Sequence, residues 1–128
     1  MQNTAPRGES AGSSAIPAAL EGFFGIAERW ELTNDEQINL LGSPGRSTFF
    51  KWKKEGGSLP KDTEERVSHI LSIYKCLEIL FTNPTHSEAW IRRSNKYFGG
   101  KSALDVMLGG QVVDIYRVRQ FLDSQRGG

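Results

Sequence analysis

The sequence has one cysteine, two histidines and no apolar run near the roughly 18 residues that a membrane span requires. The lone cysteine, Cys76, has no partner for a disulfide within the chain, and it falls in an apolar helical pattern that predicts a buried thiol. His69 and His86 are far apart, with no further histidine or cysteine at ligand spacing, so no metal site is expected. No Ser–His–Asp set or carboxylate pair can be defended from spacing, and no catalytic residue or cofactor is assigned. Met1 to Ser14 lack the basic start and apolar stretch of a secretory signal, which points to the cytoplasm. An excess of one charge is missing too. Sixteen basic residues against 15 acidic ones leave +1, so bulk charge alone does not suggest nucleic acid.

What is present is an ordinary globular composition with a marked local charge pattern. At 128 residues and 38% apolar, the chain can build one compact core plus a tail. Between Pro17 and Gly42 five acids face a single base, Arg29, for a local −4; between Ser43 and Lys61 five bases face Glu55, for +4. Arg92, Arg93, Lys96 and Lys101 form a second basic cluster. Such reversals can direct a field on a nearly neutral protein, although a solvated helix face would look the same.

Periodicity predicts helices and no strands. Residues 1–15 are polar and small, and read as a disordered arm. Pro17 suits a helix start, after which Leu20, Phe23, Phe24, Ala27 and Trp30 mark one buried face, despite Gly22 and Gly25. Thr33 and Glu36 have the spacing of a capping box, and Gly42 can end the helix they start. Arg46 to Lys54 reads as the next helix. A long one follows from about Thr63 to Phe81, capped by Asp62 or Thr63, with an apolar stripe wide enough to pack on two sides. Shorter helices are expected over Thr85–Arg93 and after Ser102, and a last one over Val112–Leu122.

Two elements are candidates for function. The first is Thr33 to Lys54, two helices around a tight Gly42-Ser43-Pro44-Gly45 turn, the layout of a helix-turn-helix. Arg46, Ser47 and Thr48 could reach phosphates or base edges, Lys51, Lys53 and Lys54 could meet phosphates, and Phe49 and Trp52 would hold the helix to the core. An ordinary helical hairpin is the plainer alternative. The second element is Trp90 to Leu122, where Gly99-Gly100 and Gly109-Gly110 bracket a short helix. Tyr97 and Phe98 there could be core or could anchor a partner. Gly100-Lys101-Ser102 matches the end of a phosphate-binding P-loop, but Asn95 stands where that motif needs glycine and no strand precedes it, so nucleotide hydrolysis is rejected.

Taken together the residues resemble the Xre/MbcA/ParS-type antitoxins, whose partners are RES-domain toxins. The likeness covers about residues 20–123. It rests on Trp30 and Leu32, Asp35-Glu36-Gln37, Leu40-Leu41-Gly42 and the run Ser47 to Trp52. In the C-terminal half it rests on Ile70 to Tyr74, Leu77 to Phe81, Ala89-Trp90-Ile91, Asn95, Phe98 to Met107 and Val118 to Leu122. The Ser43-Pro44-Gly45 turn is one residue longer than the family pattern, and Ser94 and Ala103 stand where proline is common. The resemblance implies an N-terminal DNA-binding domain, a C-terminal toxin-binding domain, dimers, and repression of the toxin–antitoxin operon. The family's toxins consume or transfer from NAD; the antitoxin carries no such chemistry.

The expected protein is therefore all-α and not an enzyme. It has an arm (1–15), a helix-turn-helix domain (16–61), a helical toxin-binding and dimerisation domain (62–123) and a polar tail (124–128). Its partners are a RES-domain toxin, operator DNA and a second copy of itself within a toxin–antitoxin hetero-oligomer, with no membrane. The toxin contacts are assigned to Trp90, Arg93, Tyr97, Phe98, Gly99, Gly100, Lys101, Ser102 and Arg119. Gln125 and Arg126 join them on a tail expected to extend into the toxin's active-site cleft. The rival readings are a stand-alone helix-turn-helix regulator and an interaction protein whose helix-turn-helix has lost DNA binding.

Overall fold

A computed structural model describes residues 16–127, and the expected arm, 1–15, lies outside them. The described chain is all-α, with seven α-helices, one 3-10 turn and no strand among these residues. After Pro17, α1 (Ala18–Arg29) buries Leu20, Phe23, Ile26 and Ala27, with Trp30 buried at its end; Phe24, expected on the same face, is only half-buried. Gly22 has a packing reason: a Cβ there would lie 3.0 Å from Leu71 Cδ2, so its missing side chain leaves room for that of Leu71 on the neighbouring helix.

The capping box forms. In α2 (Asn34–Leu40) the Thr33 hydroxyl accepts from the Glu36 amide (3.1 Å), and the Glu36 carboxylate accepts from the Thr33 amide (2.9 Å). The long turn is accommodated by two consecutive residues of positive φ, Gly42 (+96°) and Ser43 (+61°). Their amides donate to Asn39 and Ile38 carbonyls, the hydrogen-bond pair of a Schellman motif. Then α3 (Arg46–Glu55) buries Phe49 and Trp52, and no side chain caps its N-terminus.

The long helix α4 (Lys61–Leu80) starts two residues earlier than expected, behind Pro60 and without a side-chain cap. Both expected caps are engaged elsewhere. Asp62 pairs with Arg66 at 2.7 Å, and Thr63 Oγ1 donates to the Leu41 carbonyl at 2.8 Å. As its wide stripe predicts, α4 packs on α1 and on α7. Next come α5 (Pro84–Trp90), capped by Asn83 and ending three residues before the expected Arg93, the 3-10 turn Lys96–Phe98, and α6 (Ala103–Met107), capped by Ser102 and Asp105.

The last helix, α7 (Val112–Gly127), corrects the expected tail. Residues 124–127 are helical, not extended. Nothing from Asp123 to Arg126 breaks a helix, Asp123 lies 3.8 Å from Arg119 one turn back, and Ser124 Oγ donates to the Phe121 carbonyl.

One apolar core runs from Leu20 to Leu122. Polar ties reinforce it. Buried Arg66 donates to Asp62, to the Gly110 carbonyl (3.0 Å) and, at the limit of 3.5 Å, to the Asn39 carbonyl. Asn39 Nδ2 donates to the Leu108 carbonyl, and Arg92 donates to the carbonyls of Trp30 and Glu31. A buried carbonyl that loses a charged donor costs more than the bond contributed. Arg66→Met is therefore expected to lower the unfolding free energy by about 3 kcal/mol, read as a reduced urea midpoint at unchanged slope.

Candidate functional site

Four aromatic rings gather where α5, the 3-10 turn and α7 meet. Phe121 of α7 is the hub: Trp90 stacks on it at 6.3 Å and 10°, Tyr97 lies at 4.4 Å, and Phe98 meets it edge-on at 5.4 Å. The rings differ in exposure. Phe98 is buried, Trp90 and Phe121 are half-buried, and Tyr97 is 66% exposed. Beside them runs a groove of about 280 Å³ lined by Leu80, Phe81, Trp90, Phe121, Leu122 and Gln125. Leu80, at the end of α4, is itself exposed, so the groove carries apolar surface past the rings.

The loop that presents Tyr97 is closed by its own backbone. Asn95 N donates to the Lys101 carbonyl, Gly100 N to the Asn95 carbonyl, and Ser94 Oγ to the Gly100 carbonyl. The Asn95 side chain accepts from the Tyr97 amide at 2.8 Å. Gly99 (φ +67°) and Gly100 (φ +91°) supply the left-handed residues that reverse the chain. The result turns Phe98 inward and Tyr97 outward.

The expected toxin-contact residues thus separate. Trp90, Tyr97 and Gln125 share the aromatic surface, with Arg93, Gly99, Gly100 and Lys101 exposed on the adjoining loop. Phe98 faces the core, not a partner, and its ring supports those of Tyr97 and Phe121. Ser102 is buried, with its hydroxyl accepting from Asp105 N, so it acts as a helix cap. Arg119 and Arg126 are on the opposite flank of α7 from Phe121 and Gln125, across the buried stripe of Ile115, Val118 and Leu122. Arg119 Nη1 is 2.9 Å from His69 Nδ1, and His69 Nε2 is 3.2 Å from Glu65 Oε2. A guanidinium can only donate, so Nδ1 accepts and Nε2 carries the proton. The Cys76 thiol is pushed up from its ordinary pKa, first by burial, which keeps it protonated and unreactive.

On α3, Arg46, Ser47, Thr48, Lys51, Lys53 and Lys54 are all exposed, but not on one face. Ser47, Lys51 and Lys54 point away from buried Phe49 and Trp52. Lys53 turns toward α1, its ammonium 5.9 Å from the Phe24 ring centre and 5.7 Å from that of Phe49, in an open groove with Glu21, Glu28 and Glu31. Arg46 pairs with Asp35 of α2 at 2.7 Å and lies 5.7 Å over Phe50, a ring that is 43% exposed.

Helical periodicity assigns Phe121, Leu80 and Phe81 to the core, so the sequence alone does not place them in the site. Phe50 has no pattern to mark it. Among the described residues no group of three or more His, Cys, Asp or Glu could hold a metal, and no helix is long and apolar enough to cross a membrane.

The segment holding this aromatic surface has known relatives. Residues 76–128 match the family model of the antitoxin Xre/MbcA/ParS C-terminal toxin-binding domain. The chain belongs to the Xre/MbcA/ParS-type antitoxins. It is also 67% identical over 119 residues to the uncharacterized protein y4oB of Sinorhizobium fredii, an alignment covering 93% of this chain and 92% of that one. The match to the family model takes in the end of α4, the glycine loop and all of α7, so the aromatic surface of this antitoxin lies within its toxin-binding domain.

The two neighbouring rings should separate in stability measurements. Phe98→Ala is expected to cost about 3–5 kcal/mol, whereas Tyr97→Ala should cost about 1 kcal/mol or less. Paired urea titrations read the difference.

Proposed function

We propose that this antitoxin neutralises a RES-domain toxin, an enzyme that consumes NAD or transfers from it, and represses its own operon as a homodimer. One observation carries the first half: an outward aromatic ring on a closed loop, beside an apolar groove, inside the toxin-binding domain. Tyr97 anchors the interface, Trp90 and Phe121 support it, and Arg93, Lys96 and Lys101 form a basic rim that sets specificity and association rate. Because α7 is helical to Gly127, obstruction of the toxin's active-site entrance falls to its last turn, with Gln125 on the flank of the aromatic rings and Arg126 on the other, and not to a threaded tail.

The second half rests on α3. A helix without a side-chain cap offers free amides and a positive dipole end to a phosphate, and Ser47, Lys51 and Lys54 extend that side outward. The preceding acidic segment repels the duplex elsewhere, which favours one orientation. A dimer would present two such helices to half-sites about one helical turn apart, or a multiple of that.

For the toxin arm, the antitoxin is co-expressed with the product of the adjacent gene. The full chain should protect growth, preserve cellular NAD and co-purify with the toxin; Tyr97→Ala should lose all three while staying folded. Full protection by Tyr97→Ala would remove the aromatic surface from the mechanism. For the DNA arm, binding to the operon's upstream region is titrated against salt. Lys51→Ala and Lys54→Ala should each flatten the log–log slope by about 0.9 for every phosphate no longer neutralised, whereas Lys53→Ala should leave it unchanged. An unchanged slope in all three variants would end the assignment of α3.

A further inference from the structure

The outward side of α3 carries an aromatic ring outside the apolar core. Phe49 fills the core, while Phe50 beside it is 43% exposed among Arg46, Ser47, Lys51 and Lys54. The ring is nonetheless held in place. Phe49 meets it edge-on at 5.0 Å and 67°, and the Arg46 guanidinium, itself fixed by Asp35 at 2.7 Å, covers it at 5.7 Å. An exposed phenyl on a basic helix is an odd choice for solubility. It suits a surface that will be covered by a polyanion with something apolar to offer.

Duplex DNA offers one such group in its major groove, the 5-methyl of thymine, which side chains such as Phe read by apolar contact. We propose that Phe50 reads the thymine methyl at one position of each operator half-site, with Arg46 holding the ring in the reading geometry. The inference rests on the proposed DNA-binding role of α3 and adds a base preference to it. Charge selects the occupant: with Arg46 offset by Asp35, Lys51 and Lys54 still leave net positive charge beside the ring on α3, which draws phosphates and disfavours the same basic patch on a second copy. The phosphate contacts would bring α3 to any duplex, and Phe50 would make one register better than its neighbours.

The test uses the full chain and a duplex recovered from a random pool by selection on the wild-type protein. Each thymine is replaced in turn by deoxyuridine, which removes the methyl and nothing else, and affinity is read by fluorescence anisotropy. Wild type should lose about fourfold at one position per half-site, the value of one buried methyl group at about 0.8 kcal/mol. Phe50→Ala should bind the thymine duplex about as weakly as wild type binds the deoxyuridine one, with no further loss on deoxyuridine. Its melting temperature should match that of wild type, since the ring is outside the core.

Indifference of wild type to every deoxyuridine, or undiminished sensitivity in Phe50→Ala, overturns the inference. So does a shift of Phe50→Ala toward monomer in sedimentation, which would put the ring between two copies, or loss of toxin co-purification. Recovery of a duplex whose salt slope falls in Lys51→Ala and Lys54→Ala, but which ignores deoxyuridine, leaves DNA binding standing and removes Phe50 alone. If no duplex is enriched, both readings fall together.

Discussion

The Arg66 guanidinium is buried, and a buried charge is tolerated only where its donors are taken up. Arginine suits the place because its planar fork can serve several acceptors at once, which a lysine ammonium on a flexible stem does less well. Here the fork reaches Asp62 on its own helix, the carbonyl of Gly110 ahead of α7 and, more weakly, that of Asn39 near the end of α2. The turn leading into α3 and the loop leading into α7 are thus referred to the same side chain. Because α3 carries the basic surface and α7 the aromatic one, the two candidate surfaces share one frame through α4.

Features set by near neighbours were legible in the sequence. The Thr33/Glu36 box needs only a spacing of three, and it formed, as did the short helix expected after Ser102. The width of the α4 stripe foretold packing on two sides, which α1 and α7 fill. The start of α4 was not legible, for a tertiary reason: Asp62 and Thr63 look like caps, yet one is drawn to Arg66 and the other to the carbonyl of Leu41. The end of α7 was hidden by the lack of an apolar period after Leu122, although polar residues continue a helix once packing has established it.

The candidate site was legible as a segment and not residue by residue. Spacing marked the glycine loop as special, but adjacent aromatics in a 3-10 turn carry no face code, so which of Tyr97 and Phe98 would point outward was open. Arg119 and Arg126 looked available as charges; only the helix register puts them on the far flank of α7 from Phe121. Charge groups Lys53 with Lys51 and Lys54, whereas its position on α3 sends it over Phe24 and Phe49 beside acidic residues of α1.

The closed glycine loop bears on how tightly a surface of this size can hold a partner. Association ordinarily spends free energy on freezing side chains and backbone at the contact. Between Ser94 and Ser102 the backbone is already cross-linked by its own amides and carbonyls, and the two glycines have no side chains to immobilise. Tyr97 has only two side-chain torsions, and its ring already packs against those of Phe98 and Phe121. A protein that meets it finds a contact whose ordering entropy was lost during folding, so more of the interaction energy remains to slow dissociation.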